Sequence, residues 1–254
     1  MDCQKPSRID RPDLRLQHYL ARCGLGSRRA CELLMRDGRV MVNGASATVL
    51  GTRVNPDTDT VTVDGREARP QNFRYLLFNK PLNVICTSHD PQARRTFTAY
   101  LPGIAERLFS IGRLDRDSEG LLILTNDGDL AQLLSHPSHH IPKIYEVTIA
   151  GGLTSAQEKQ MLEGIVSDGE TLRMASLAML GTQDGYSRYR VELITGRNRQ
   201  IRRMFAVLGR PVGHLRRVAI GTLTLGTLRP GTWRDLQPAE VRKLRQLAMN
   251  RRTK

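Results

Sequence analysis

"GRLDRDSEGLLILTNDGDL", residues 112–130, holds a strand between turns and a concentration of acid. Leu121, Leu122, Ile123 and Leu124 form an unbroken apolar run of strand length, which predicts a buried strand. Gly112 and Gly120 punctuate the approach: the chain turns sharply after an upstream strand and turns again before the run. Asp127-Gly128 is a further turn, with Asp127 or Asp129 able to cap the helix that "DLAQLLSH" predicts. The stretch carries five carboxylates (Asp115, Asp117, Glu119, Asp127, Asp129) in a chain with 25 acids against 39 Lys and Arg. Two turns frame Asp115 and set it at the lip of a cleft. With Leu114 and the apolar run beside it, its carboxylate stays ionised only with a cationic partner. Arg113 and a cluster near residue 200 can supply one. Asp117 and Glu119 read as turn-formers or solvent-facing acids.

Around this stretch, "YLLFNKP", "NVICTS", "RLFSIG", "IYEVTIA" and "YRVELIT" predict short strands. "SAQEKQMLEG" predicts a helix with Ser155 and Glu158 at capping-box spacing, and "RQIRRMFAVLG" predicts a helix ending at Gly209. Strands outnumber helices and mix with them irregularly, which points to an α+β domain with a mostly antiparallel mixed sheet and flanking helices. A second constellation lies between Gly196 and Arg217, with seven Arg and no acid. Arg199, Arg202 and Arg203 fall three and four apart, on or near one helical face. Arg suits bidentate phosphate contacts, and one of these residues can instead pair with Asp115. The segment "VRKLRQLAMNRRTK" adds six basic residues and reads as a short helix with a frayed basic tail over 241–254.

The N-terminal quarter has a different texture. Residues 1–13 are polar with two prolines and read as a flexible tail. Leu16, Tyr19, Leu20 and Cys23 repeat at helical spacing up to Gly24, and Ser27 caps a second helix. Hairpin signals follow at Asn43-Gly44 and Asp64-Gly65. Domain expectations are therefore a small helical and β-hairpin module over 14–71, a larger domain over 72–240, and the two tails. From Leu14 to Met41 the module holds six Arg and two acids. Arg28 and Arg29 fall in the first turn of the second helix, where a cation opposes the helix dipole and a bound phosphate would offset it. Arg36 and Arg39 extend that basic surface.

A net charge of +14 favours a polyanionic partner, since each neutralised phosphate releases counterions. There is no apolar run of membrane-spanning length and no apolar segment of a signal peptide at the N-terminus. Cys3, Cys23, Cys31 and Cys86 form no C-x-x-C pair and no zinc-ligand spacing with His. The expectation is a reduced, cytoplasmic, monomeric protein. "HPSHH", 136–140, reads as a Pro-broken loop rather than a metal site.

The N-terminal module resembles the S4-like RNA-binding domain, on Gly26-Ser27-Arg28-Arg29 followed by Gly38-Arg39-Val40-Met41-Val42-Asn43-Gly44. The remainder resembles the bacterial rRNA pseudouridine synthases that carry such a domain. "GRLDRDSEGLLILTNDG", "FNKPLNVICTSHDP" (78–91), "KIYEV" (143–147) and "GRNRQIRRMFAVLG" (196–209) carry that resemblance, and it spans roughly residues 14–235. The resemblance implies an isomerase that turns a uridine of ribosomal RNA into pseudouridine, closer to the large-subunit than the small-subunit members. It implies that Asp115 is catalytic, that Tyr145 stacks on the uracil, that Arg202 pairs with the catalytic carboxylate and that Ile201 packs against the base. Arg113 would fill the gap left by a flipped nucleotide or bind its phosphate; Arg199 and Arg203 would line the cleft, and Arg28, Arg29, Arg36 and Arg39 would bind RNA. It implies neither a metal nor an organic cofactor. Two rivals are a metal-dependent RNA hydrolase built on Asp115, Asp117 and Glu119, and a non-catalytic ribosome-assembly factor.

Overall fold

The structure is a computed structural model that describes residues 13–87, 90 and 92–252. Most of the expected N-terminal tail, Cys3, and Ser88, His89 and Pro91 of "CTSHDP" lie outside the described residues. The chain divides into two compact units, one ending at Phe73 and one beginning at Arg74, with residues 105–107 counted with the first.

In the first unit, β1 (Leu14–Arg15) leads into α1 (Leu16–Arg22), which ends where Gly24 takes a left-handed φ of 82°. α2 (Arg28–Arg36) starts at Ser27, whose hydroxyl accepts the Ala30 N–H at 3.1 Å. The strands β2 (Val40–Val42), β3 (Ala45–Ser46), β4 (Arg53–Val54), β5 (Val61–Val63) and β6 (Arg66–Glu67) follow. β2 and β3 join through Asn43 and Gly44, β5 and β6 through Asp64 and Gly65, all four at positive φ. That is the backbone which favours Asn-Gly and Asp-Gly in two-residue hairpins. Leu16, Leu20, Cys31, Met35, Val40, Val54 and Val61 close a small core of their own.

The second unit is built on β7 (Tyr75–Lys80), β8 (Phe109–Ile111), β9 (Glu119–Thr125), α3 (Gly128–Ser135), β10 (Lys143–Ala150) and α4 (Ser155–Glu163). It continues with β11 (Ile165–Ser167), β12 (Glu170–Leu172), β13 (Ser176–Gln183), β14 (Tyr186–Leu193), α5 (Gln200–Val207), β15 (Val212–Ile220), β16 (Leu223–Thr224), β17 (Trp233–Asp235) and α6 (Pro238–Arg252). The main sheet runs in the order β13-β14-β10-β15-β9-β7-β17, with β16 beside β15 and β8 beside β9. Only the β9–β15 pairing is parallel, so the sheet is mixed and mostly antiparallel.

The apolar run of β9 is covered on both faces. Leu121 and Ile123 pack with α3 and α6, while Leu122 and Leu124 pack with Phe78, Val84 and Phe97. A third cluster joins Leu114, Tyr145, Tyr189, Ile201, Met204, Phe205 and Leu215. The parallel contact needs glycine at 120: a Cβ there would lie 2.2 Å from the Arg217 carbonyl oxygen, at a φ of +107°.

Several expectations shift. The described residues of "NVICTS" form no strand; Ile85 makes an isolated bridge with Thr96, after Asn83 at a φ of 64°. The capping box sits one residue earlier than expected, on Thr154 and Gln157. The basic segment, expected as a short helix with a frayed tail, is helical through Arg252 and packed as α6. Val241, Leu244 and Ala248 recur on one face, buried in the same cluster as Leu134, Ile141 and Ile220. Arg245 on that helix pairs with the buried Asp127. No described helix is long and apolar enough to cross a membrane.

Candidate active site

An open cavity of about 420 Å³ in the second unit is lined by Arg113, Leu114, Asp115, Tyr145, Ile201 and Arg217, among others. That volume lies within the range of about 300–1,000 Å³ usual for small-molecule sites. Its strand-borne walls are Ile111 of β8, Lys143 and Tyr145 of β10, Leu193 of β14, and Leu215, Arg217 and Ile220 of β15. Gly120 of β9 pairs with Arg217 of β15, and Arg217 pairs with Tyr145 of β10. The loop between β8 and β9 arches over this centre and carries Asp115.

The loop is held at several points. Gly112 takes a positive φ of 68° directly after β8. The Leu114 N–H donates to Cys86 Sγ at 3.3 Å, and Leu114 is buried in the core beneath. The Ser118 N–H donates to the Asp115 carbonyl at 3.1 Å, closing the turn. The Asn83 N–H donates to the Arg116 carbonyl at 2.8 Å, tying the loop to the segment after Lys80. Arg217 reaches it from the sheet: Nε donates to Leu121 O at 2.8 Å and Nη1 to Arg113 O at 3.4 Å.

With the backbone fixed, the Asp115 side chain stands at the cavity rim, 35% exposed, with Arg199 Nη1 3.6 Å from its Oδ2. Arg199 is the N-cap of α5 and has a left-handed φ of 45°. The same guanidinium grips Asp117 bidentately, Nη1 to Oδ1 at 3.2 Å and Nη2 to Oδ2 at 2.9 Å. That contact holds the Asp117 carboxyl below the ordinary carboxylate range, against its partial burial.

Arg202 is not paired with Asp115, contrary to expectation. Its Nη2 donates to the Asp117 carbonyl at 2.6 Å, Nη1 donates to Val212 O at 3.0 Å, and Nε lies 3.2 Å from Asp117 Oδ2 without hydrogen-bond alignment. It thus buttresses the loop from behind, and burial lowers its pKa from the ordinary arginine value. Asp117, expected as a solvent-facing acid, is the hub that both arginines share. Glu119 also has partners, with His214 Nε2 at 3.1 Å and Arg216 Nε at 3.8 Å.

Tyr145 is 8% exposed, and with Ile201 it lines the same cavity as Asp115. Arg113 is at the rim. Arg203, expected with Arg199 at the cleft, does not line the cavity. It binds the β11–β12 hairpin through Ser167 O at 2.5 Å, Asp168 Oδ2 at 2.9 Å and Glu170 Oε2 at 2.9 Å. In the first unit Arg28, Arg29 and Arg36 are exposed on α2. Arg39 is not free: its Nε donates to Asp64 Oδ1 at 2.9 Å across the hairpins.

Two residues at the cavity carried no role in the sequence reading. Arg217 was one cation of a dense cluster, and Lys143 one letter of "KIYEV". Both line the cavity. Lys80 is fully buried behind the loop and donates to the Pro81 carbonyl at 2.9 Å; burial lowers its pKa.

The arrangement offers one carboxylate with a guanidinium beside it, an aromatic ring, an apolar wall and a cationic surround. That can hold a flat, partly polar ring against a charged oxygen. Residues 74–207 match the family described as RNA pseudouridylate synthase, and residues 14–59 match the S4 domain. An uncharacterized RNA pseudouridine synthase of Aquifex aeolicus is 36% identical over 91% of this chain and 94% of its own length. Ribosomal large subunit pseudouridine synthase B of Bacillus subtilis is 38% identical over 92% of this chain and 96% of its own. A crystal structure of a pseudouridylate synthase superimposes with a TM-score of 0.64 at 28% identity, over 91% of this chain and 99% of that one.

Proposed function

Because the chain belongs to the RNA pseudouridylate synthase family, carries an S4 RNA-binding domain and so isomerises uridine in RNA, we propose that its substrate is ribosomal RNA of the large subunit and that Asp115 performs the isomerisation. The observation that carries the site assignment is the Asp115 carboxylate, held beside Arg199 at the mouth of a cavity walled by Tyr145 and Ile201. The relatives named for the large ribosomal subunit in Bacillus subtilis and Vibrio cholerae, each 38% identical, support the choice of RNA.

Isomerisation requires the bond from ribose C1′ to uracil N1 to break, the base to turn, and C5 to bond to C1′. A carboxylate with the Arg199 guanidinium 3.6 Å away serves each role open to it: bonding to C1′, steadying positive charge on the sugar, or removing a ribose proton. Tyr145 stacks on the base and Ile201 packs against its edge. Arg113 at the rim takes the flanking phosphate or the space the nucleotide leaves. Arg202 acts through Asp117, fixing the loop rather than touching Asp115. Extruding a uridine costs a few kcal/mol in a duplex and less in a loop or bulge, so the target is a poorly stacked uridine. Arg28, Arg29 and Arg36 on α2 grip structured RNA nearby.

Pseudouridine mapping across ribosomal RNA, with and without this gene, tests the reading. One large-subunit position should lose its pseudouridine in the deletion strain. An unchanged large-subunit map, or a loss confined to small-subunit RNA, would refute the choice of target.

A further inference from the structure

The cavity that holds Asp115 has a second polar centre at its floor. Among the described residues lining it, Asp115 is the one acid, set against Arg113, Lys143, Arg197, Arg199 and Arg217. Arg113, Arg197 and Arg199 lie on the loops and at the helix start around the mouth. Lys143 and Arg217 come from the sheet itself. Lys143 and Tyr145 are two residues apart on β10 and so share a face, and Arg217 is the cross-strand neighbour of Tyr145.

Arg217 is 2% exposed, a large cost for a guanidinium unless its donors are used. Nε and Nη1 are spent on the carbonyls of Leu121 and Arg113. Nη2 is buried with no hydrogen-bond partner. Lys143 donates to Ile141 O at 3.0 Å, and no carboxylate pairs with it among the described residues. Burial, then the nearby Arg217 charge, lowers its pKa to about 8. Two cations thus line one cavity with donors left over and, among the described residues, no carboxylate within ion-pair distance of either. An unsatisfied buried donor calls for an acceptor.

We infer that Arg217 Nη2 and Lys143 Nζ form a donor pair that binds a carbonyl oxygen of the extruded uracil and holds the negative charge of the base while it is detached from ribose. The inference rests on the uridine-isomerising reading of this cavity. When C1′–N1 breaks, the electron pair stays with the base, and the resulting anion is shared over N1, O2 and O4. C5 then bonds to C1′, C5 loses its proton and N1 gains one, so the reaction is an isomerisation without oxidant or reductant. Donors fixed at the cavity floor favour the detached base over the ground state, the differential binding that lowers a barrier. Where the oxygen bound is O4, they also favour uracil over cytosine, whose exocyclic amine at that position would place a donor against donors.

The test uses the full chain with ribosomal RNA from cells lacking this gene, measuring single-turnover conversion and RNA affinity separately. Lys143→Met should slow conversion by about 10²- to 10³-fold, the loss usual for one such donor, with RNA affinity unchanged. Lys143→Arg, which restores a charged donor, should recover most of the rate, and both variants should melt near the wild-type temperature. Conversion by Lys143→Met at the wild-type rate overturns the inference. A Lys143→Arg variant as slow as Lys143→Met also overturns it, by reducing Lys143 to a packing role. A wild-type protein that converts no uridine refutes the underlying reading instead, so the two failures are distinguishable.

Discussion

Replacing Arg245 with methionine tests the placement of α6, whose packing against the second unit was not expected from the sequence. Asp127 is 1% exposed in the wild type. Its carboxylate accepts the N–H groups of Asp129 and Leu130 at 3.1 and 3.0 Å, the Tyr75 hydroxyl at 2.8 Å, and the Arg245 guanidinium. Removing one partner of a buried ion pair costs about 3–5 kcal/mol. Three remaining donors and the partial exposure of Arg245 reduce that, to about 2–3 kcal/mol by the same reasoning. For a unit of this size the loss corresponds to a drop of roughly 4–12 °C in Tm. Thermal or urea unfolding followed by circular dichroism reads it directly. A Tm within about 1 °C of wild type would refute the argument, because it would mean α6 does not neutralise Asp127. The consequence reaches the active site, since α6 packs in the cluster that supplies Leu134, Ile141 and Ile220 to the cavity.

Gly120→Ala should fail to give a folded second unit, because the added carbon meets the β15 backbone rather than a movable side chain; normal expression with a native melting profile would contradict this. Deleting residues 1–70 should weaken RNA binding while the remainder still melts cooperatively; a remainder unable to fold would contradict the division into two units. Lys143 is charged below its pKa of about 8 and neutral above it, so wild-type conversion should decline as pH rises through 8. Its surroundings (Tyr145 on its own strand, Arg217 on β15, Asp115, Arg113 and His136 on the loops, Arg197 and Arg199 at the α5 start) are common to Lys143→Arg. That variant should not decline there, and parallel profiles would contradict the assignment.

The first unit was legible nearly residue by residue, because its signals are local: Ser27 at a helix start, Gly24 at a helix end, Asn43-Gly44 and Asp64-Gly65 in hairpins. The buried strand of the second unit was legible for a similar reason, its short Leu121–Leu124 apolar run being bounded by Gly120 and the Asp127-Gly128 turn. β15 was not. Its inward positions are Leu215, Arg217 and Ala219, and a charged residue among them breaks the alternation that marks a strand. The face of α6 was masked in the same way, by Arg and Lys flanking Val241, Leu244 and Ala248. The partner of Asp115 could not be chosen from spacing, since Arg199 and Arg202 both belong to the start of α5. In the structure Arg199, with a left-handed backbone at the N-cap of α5, is the one beside Asp115, and that conformation leaves no trace in the letters.

The most direct test of the account is conversion by Asp115→Asn, which keeps the shape of the side chain and removes its charge. Wild-type protein and variant are incubated with ribosomal RNA from cells lacking the gene, and pseudouridine and bound RNA are both measured. Binding should be retained and isomerisation abolished; a variant that still forms pseudouridine would show that the carboxylate at the cavity mouth is not the one that acts.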